Sequence, residues 1–122
     1  MNDYKRLPDS ELEVMLIIWE QGKHVSTSDI MERLGKGKKV QLIQSYLGRL
    51  EEKGFISCEK LGRLNFYTPL VSMGEYRAKE TTSFLDRLYR SSPTKLFAAL
   101  LESDAVGPKE LEEFKRMLDG NE

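Results

Sequence analysis

A run of amide and hydroxyl side chains marks the segment "KKVQLIQSYLGRLEEKGFI", residues 38–56. On a helix turning about 100° per residue, Gln41, Gln44, Ser45 and Gly48 share one side, and carboxylates come only at its end. Amides and hydroxyls both donate and accept hydrogen bonds, as pairing with base edges in a DNA major groove requires. Solvation would also account for each residue alone, because glutamine is a good helix former.

Basic residues surround this polar side. Segment 33–63 holds eight basic and three acidic residues, a net charge of +5 in a chain whose total is −1. The basic residues are Arg33, Lys36, Lys38, Lys39, Arg49, Lys53, Lys60 and Arg63. Because phosphates attract such a cluster, the pattern favours double-stranded DNA as a partner.

Composition argues against other chemistry. The single cysteine, Cys58, excludes an internal disulfide, and with one histidine, His24, we expect no metal and no other cofactor. No Cys–His–acid grouping, phosphate loop or HExxH motif occurs, so no enzymatic activity is expected. No apolar run exceeds six residues, and the start "MNDYKRLPDSELEVM" does not resemble a signal peptide. We therefore expect a cytoplasmic protein without a membrane partner.

Two helices are predicted before the quoted segment. The first spans 9–21 and has Ser10 and Glu13 at the spacing of a capping box. Its predicted core stripe consists of Leu12, Met15, Leu16 and Trp19. The second is short, 27–34, with Ser26 as its cap.

The quoted segment itself is predicted to form a helix ending at Gly54, followed by strands over 55–60 and 64–68 with a turn at Gly62. The apolar side of this helix is predicted to hold Val40, Ile43, Tyr46, Leu47 and Leu50. This order describes a helix-turn-helix with a β-hairpin wing, whose second helix enters the major groove. The predicted DNA-binding residues are Lys38, Lys39, Gln41, Leu42, Gln44, Ser45, Arg49, Lys60 and Arg63.

Three more helices are predicted after residue 71. Capping residues at Ser72 and Glu75 open the first, which carries Tyr76 on its apolar face, and proline follows the caps of the other two. Fifty residues scarcely bury so much apolar surface alone, so a second copy of the chain is the expected partner. The predicted dimerisation residues are Phe84, Leu85, Leu88, Leu96, Phe97, Leu100, Leu101, Leu111, Phe114 and Leu118.

The expected fold class is therefore mainly α with a small β-hairpin wing. It comprises a winged helix-turn-helix domain over 1–71 and a helical dimerisation domain over 72–122.

Four stretches, "SELEVMLIIWE", "IQSYLGRLEEKGFI", "GRLNFYTP" and "SFLDRLY", resemble the penicillinase-repressor family of bacterial winged-helix regulators (the BlaI/MecI type, with a copper-responsive CopY branch). The resemblance covers nearly the whole chain. It implies a homodimeric repressor that binds a dyad operator in its own regulatory region. The N-terminal domain would bind DNA, and the C-terminal helices would form the dimer.

Three departures from the family pattern bear on function. Leu42 replaces a usual polar residue in the stretch Lys38–Leu42, so the resemblance does not imply the operator sequence of the family. The chain ends "MLDGNE" instead of in the cysteine-rich tail of the copper branch, so copper sensing is not expected. Antibiotic-responsive members are inactivated by a sensor-protease that cuts an asparagine–phenylalanine bond. The matching positions are Ala99 and Leu100, so a protease acting in this region needs another specificity.

Two other functions fit the same order of elements. A winged helix of the PadR or MarR type would bind a small ligand among the aromatic residues of the C-terminal helices. A winged helix can also serve protein–protein contacts alone, which the near-neutral total charge would suit. The ionic-strength dependence of binding to duplex DNA separates a protein-contact function from the two DNA-binding functions, the repressor and the PadR or MarR type.

Overall fold

The computed structural model describes residues 6–35 and 37–120, and these form six helices and three short strands. In chain order they are α1 (Asp9–Gln21), β1 (Val25–Ser26), α2 (Thr27–Leu34), α3 (Val40–Glu52), β2 (Ile56–Leu61), β3 (Leu64–Pro69), α4 (Met73–Tyr89), α5 (Pro93–Glu102) and α6 (Pro108–Leu118). Contacts divide the chain into two compact units, one ending at Ala78 and one beginning at Lys79.

Helix α1 has the predicted bounds but not the predicted cap. Pro8 occupies the N-cap position, and no side chain caps the helix among the described residues. The capping box expected from Ser10 and Glu13 is therefore wrong. The helix begins before Ser10, which consequently lies within the first turn.

The buried face of α1 is rotated from the predicted stripe. Met15 is buried and Trp19 is partly buried against the core, but Leu16 is 44% exposed. The buried residues are Glu11, Val14, Met15, Ile17 and Ile18. Apolar residues run without interruption from Val14 to Trp19, so the sequence period does not define which side faces inward.

Helix α2 has the predicted bounds and cap. The Asp29 N–H donates to Ser26 Oγ at 3.0 Å, and the Ser26 N–H donates to Asp29 Oδ2 at 3.1 Å. This capping box satisfies two backbone donors that the first helical turn leaves free. It fixes the turn between α1 and α2.

Helix α3 packs against α1 and α2 through one apolar side. Ile43, Leu47 and Leu50 are buried there as predicted. The Phe55 N–H donates to the Leu50 carbonyl at 2.9 Å, and Gly54 takes a φ of +83°. The chain thus turns sharply from α3 into the hairpin, since glycine adopts this left-handed conformation without strain.

The sheet has one strand more than predicted. Its order is β1-β3-β2, and both pairings are antiparallel. Strand β1 has only two residues, paired with Tyr67 and Phe66 of β3, which is too short for an alternating pattern to reveal. Strand β2 begins and ends one residue later than predicted, and β3 ends one residue later. Phe55 lies between the two elements, because its N–H closes α3 while its carbonyl accepts a hydrogen bond from the Leu70 N–H at 2.8 Å.

The start of α4 belongs to the first unit. Ser72 and Glu75 form the predicted capping box, with both hydrogen bonds at 3.1 Å. Tyr76 is buried, and its hydroxyl accepts a hydrogen bond from the Leu7 N–H at 2.8 Å. Tyr76 was expected on the apolar face of the C-terminal helices, but it completes the N-terminal core. For this reason the first compact unit extends past residue 71.

The second unit comprises the rest of α4 with α5 and α6. Ser92 Oγ accepts a hydrogen bond from the Lys95 N–H at 3.2 Å, and Pro93 and Pro108 open their helices as predicted. No residue of α5 or α6 is buried. This unit consequently has little core of its own within one chain. Within the described parts of the chain, no helix is both long and apolar enough to cross a bilayer.

Candidate nucleic-acid interface

The polar side of α3 is fully available to a partner. Gln41, Gln44 and Ser45 are exposed, whereas the opposite side of the helix is buried. Within residues 6–35 and 37–120, no hydrogen bond ties these three side chains to the rest of the fold. Their donors and acceptors therefore point to an external partner or to solvent.

Gly48 lies in the middle of this exposed side, and the fold does not require a glycine at this position. It has ordinary helical backbone, and a Cβ added there would meet nothing within 4 Å. Glycine nevertheless destabilises a helix interior by roughly 0.8–1.0 kcal/mol relative to alanine. A close approach by another molecule would explain why the smallest residue stands there.

Two apolar side chains at the start of α3 are also exposed. Val40 was predicted on the core side, but it is 39% exposed because it begins the helix one turn before Ile43, the first residue of α3 to be buried. Leu42, which the pattern placed at the boundary of the polar side, is 46% exposed.

Apart from Lys53, the described cations of segment 33–63 fall into two groups. Arg33 pairs with Glu20, and Lys38 lies 3.8 Å from Glu13. All four of these side chains are exposed. Such exposed pairs contribute little and separate easily. Within residues 6–35 and 37–120, no ion pair is formed by Lys39, Arg49, Lys60 and Arg63. Lys36 lies outside the described residues.

Lys53 is the cation of this segment that pairs with a buried carboxylate. Its Nζ lies 2.5 Å from Glu11 Oε1, and the Glu11 side chain is only 3% exposed. The sequence pattern does not distinguish Lys53 from the outward-facing lysines, because its partner is distant along the chain. It was not among the predicted DNA-binding residues.

The start of α3 is electropositive. Lys39 is the N-cap residue, and no side-chain hydrogen bond caps this end among the described residues. The first backbone N–H groups of a helix lack internal acceptors and carry the positive end of its dipole. An anionic oxygen, such as a DNA phosphate, fits this position.

The hairpin presents its own cations apart from α3. Lys60 lies near the end of β2, and Arg63 follows Gly62 in the turn, where Gly62 has a φ of +65°. Leu61 and Leu64 pair across the strands beside the turn, and both are exposed. Sequence reasoning did not single out these leucines, because apolar residues next to a turn resemble ordinary strand residues.

Two groups near the interface elements have shifted pKa values. Two hydrogen bonds lower the pKa of Asp29, mainly the one from the Gln21 side chain and then the one from the Ser26 backbone N–H. The Asp29 carboxylate in the cap of α2 therefore keeps its charge at neutral pH. Burial raises the pKa of Tyr67, and the neighbouring Cys58 adds to that effect, so the phenol stays neutral in the sheet. Asp29 caps α2, and Tyr67 is buried in the sheet, so both groups stabilise the fold. No cluster of three potential metal ligands occurs within the described ranges.

Most of the predicted dimerisation residues are exposed in the single chain. Leu85, Leu96 and Phe114 are half-buried. The exposed ones are Phe84, Leu88, Phe97, Leu100, Leu101, Leu111 and Leu118. The Phe97 and Phe114 rings lie 5.1 Å apart and border an apolar groove of about 230 Å³ between α5 and α6.

A short helix, a second helix with a free polar side and an antiparallel hairpin together define the winged helix-turn-helix class, as the sequence predicted. The solution structure of the DNA-binding domain of the repressor BlaI has the same fold. It superposes with a TM-score of 0.54 and 32% identity, over 62% of this chain and 94% of that domain. The chain belongs to the penicillinase repressor family, whose model matches residues 7–120.

Full-length relatives show the same relationship. The penicillinase repressor of Bacillus licheniformis is 31% identical over 121 residues, covering 98% of this chain and 94% of that protein. The methicillin resistance regulatory protein MecI of Staphylococcus aureus (strain N315) is 28% identical over 120 residues, or 97% of both chains. The similarity thus includes both compact units.

Proposed function

We propose that the protein is a dimeric transcriptional repressor that binds a dyad operator, with α3 in the major groove of each half-site. The observation that carries the proposal is the exposed polar side of α3, next to cations that form no ion pair within the described part of the chain. The relatives named as repressors support it, and so does the fold shared with the BlaI DNA-binding domain. A repressor acts on cytoplasmic DNA, so this location is part of the proposal.

The side chains divide into two roles. Gln41, Gln44 and Ser45 contact base edges, since only amides and hydroxyls on this side can both donate and accept. The positively charged residues contact phosphates and set the position of the helix, and they are Lys38, Lys39, Arg49, Lys60 and Arg63. Lys60 and Arg63 do so from the wing, on the flank of each half-site.

The second unit holds two DNA-binding units together. Its helices leave large apolar side chains exposed in one chain, and an isologous contact with a second copy would cover them. We expect the dimer to hold two α3 helices about one turn of DNA apart, or a multiple of that spacing.

Inactivation by a protease is a further part of the proposal. The positions Ala99 and Leu100 lie inside α5, where a backbone bond is protected by helical structure. A protease with a specificity for small and apolar residues would need α5 to open locally. The groove beside Phe97 and Phe114 instead favours a second regulator class, in which a small apolar ligand controls the dimer.

A salt titration with three proteins tests the DNA contacts. We expect log affinity of the wild type to fall linearly with log salt, by about 0.9 per phosphate contacted. Arg63→Ala should lower that slope by about 1 and weaken all sequences alike, because it removes one phosphate contact. Gln44→Ala should leave the slope unchanged and lose about 1–3 kcal/mol of discrimination at one base pair. Fluorescence anisotropy with duplexes selected from a random library measures both quantities.

The two variants serve as controls for each other. If Arg63→Ala and Gln44→Ala change slope and base preference to the same extent, the division of roles is wrong. Binding that does not depend on salt, or no selection of any duplex, would refute DNA binding itself and favour the protein-contact function.

Gly48→Ala should separate stability from binding. We expect the unfolding free energy to rise by about 0.5–1 kcal/mol, because alanine is the better helix former and its Cβ meets no atom. Affinity for the selected duplex should fall at least severalfold, because the methyl group stands between the helix and the groove. Urea unfolding followed by Trp19 fluorescence and a gel-shift titration measure the two effects.

Gly74 provides the matched control. It lies in the first turn of α4, and a Cβ there would lie 4.0 Å from Ser72 Oγ, an ordinary contact. Gly74→Ala should therefore leave DNA affinity unchanged. Unchanged affinity in Gly48→Ala as well would show that α3 does not approach DNA along this side.

A further inference from the structure

Leu42 has an apolar side chain that does not pack into the core. It lies in the first turn of α3 and is 46% exposed, while Ile43, next to it, is buried. The apolar contact of α3 with the core is already made by Ile43, Leu47 and Leu50. The exposed leucine is therefore not explained by packing within the chain.

The surroundings of Leu42 suggest what it meets. Gln41 precedes it on the exposed polar side, and Ser45 lies one turn further along the same flank. Lys39, at the helix start, forms no ion pair among the described residues. In the proposed complex, the first turns of this helix lie nearest the base edges, so Leu42 enters the groove between polar contacts.

The floor of a major groove offers one main apolar feature. Adenine, guanine and cytosine present donors and acceptors there, whereas thymine presents a carbonyl oxygen and a C5-methyl group. A leucine that loses water in the groove without a methyl group beside it would face polar edges alone. We infer that Leu42 reads the C5-methyl group of a thymine in each half-site, and so selects thymine at that position. This inference rests on the proposed DNA-binding function.

The inference also predicts how Leu42 and its neighbours share recognition. Glutamine and serine beside it discriminate by hydrogen bonds, which distinguish all four base pairs. Leucine makes no hydrogen bond and discriminates through the methyl group alone. Deoxyuridine keeps every hydrogen-bonding group of thymine and lacks only this methyl group, so it isolates the contribution of Leu42.

The experiment uses the full chain and duplexes selected from a random library. Each thymine of the half-site is replaced in turn by deoxyuridine, and affinity is measured for the wild type and for Leu42→Ala. One replacement should weaken the wild type about fourfold, which corresponds to about 0.8 kcal/mol for one methyl-sized apolar group. The same replacement should change the affinity of Leu42→Ala by less than a factor of about 1.5. Leu42→Met, which keeps an apolar side chain, should retain a measurable dependence on the methyl group.

Leu16→Ala is the matched control. Leu16 is 44% exposed, close to the value for Leu42, and lies on α1 between the acidic residues Glu13 and Glu20, which would repel phosphates. Its truncation should leave the full deoxyuridine effect of the wild type. Equal sensitivity of the wild type and Leu42→Ala to every replacement would overturn the inference while leaving DNA binding intact. Failure of the wild type to select any duplex would overturn both.

Discussion

Ending the chain after Ala78 is expected to lower affinity for a two-half-site duplex by about 10²–10⁴-fold while the first unit stays folded. The second unit is proposed to tether two α3 helices, so binding at the first half-site makes binding at the second intramolecular. Losing the tether removes that gain without removing any DNA contact. Sedimentation reports the change from dimer to monomer, and a gel-shift titration reports affinity.

Two comparisons make this expectation specific. The affinities of the fragment and the full chain for a duplex with a single half-site should agree within about a factor of two to three, because each places one α3 helix on that half-site. In the full chain, Leu111→Asp combined with Phe114→Asp should reproduce the loss, since an apolar contact cannot cover two carboxylates without a large desolvation penalty. A full chain that is monomeric at micromolar concentration, or a fragment that binds the dyad as tightly, contradicts the tether.

The end point of the fragment matters. A chain ending at Val71, the boundary predicted from sequence, would lose Tyr76, whose hydroxyl accepts the Leu7 N–H and whose ring lies 5.6 Å from that of Trp19. Removing a large buried side chain typically destabilises a core by about 3–5 kcal/mol. We therefore expect the shorter fragment to unfold at much lower urea concentration than the one ending at Ala78.

The elements that could be predicted from sequence have strong local signals. The bounds of α2 followed from Ser26 and Asp29, and the turn after α3 followed from Gly54, because caps and left-handed glycines depend on neighbouring residues only. The exposed side of α3 followed from its regular period, which placed Ser45 opposite Leu47 correctly.

The features that could not be predicted depend on distant residues. Strand β1 exists because β3 lies next to it, and two residues carry no period of their own. The rotation of α1 could not be read from an uninterrupted apolar run, and the burial of Tyr76 depends on Leu7, near the other end of this unit.

The pair formed by Glu11 and Lys53 joins the beginning of α1 to the end of α3. Glu11 lies in the first turn of α1, and Lys53 is the C-cap residue of α3, so each charge also complements the dipole of its own helix. Their exposures differ, however. The Glu11 side chain is 3% exposed, whereas that of Lys53 is 37% exposed.

Because of this difference in exposure, removing Lys53 and removing Glu11 should destabilise the first unit to different extents. Lys53→Met leaves a carboxylate buried without its cation, and we expect it to destabilise the first unit by about 3–5 kcal/mol. Glu11→Gln leaves a lysine that can turn towards water and still donate to the amide oxygen, so a loss of about 1 kcal/mol is expected. Urea unfolding of the full chain, followed by the fluorescence of its single tryptophan at a fixed protein concentration, measures both losses.

Lys39→Met is the control, since it makes the same substitution at the exposed opposite end of α3 and should change stability by no more than about 0.5 kcal/mol. The double variant Glu11→Leu with Lys53→Met should recover most of the stability lost in Lys53→Met, because apolar side chains can replace a buried ion pair without an uncompensated charge. If Lys53→Met is no more harmful than Glu11→Gln, the buried carboxylate does not depend on this lysine. In that case the contact between the start of α1 and the end of α3 is held by apolar packing alone.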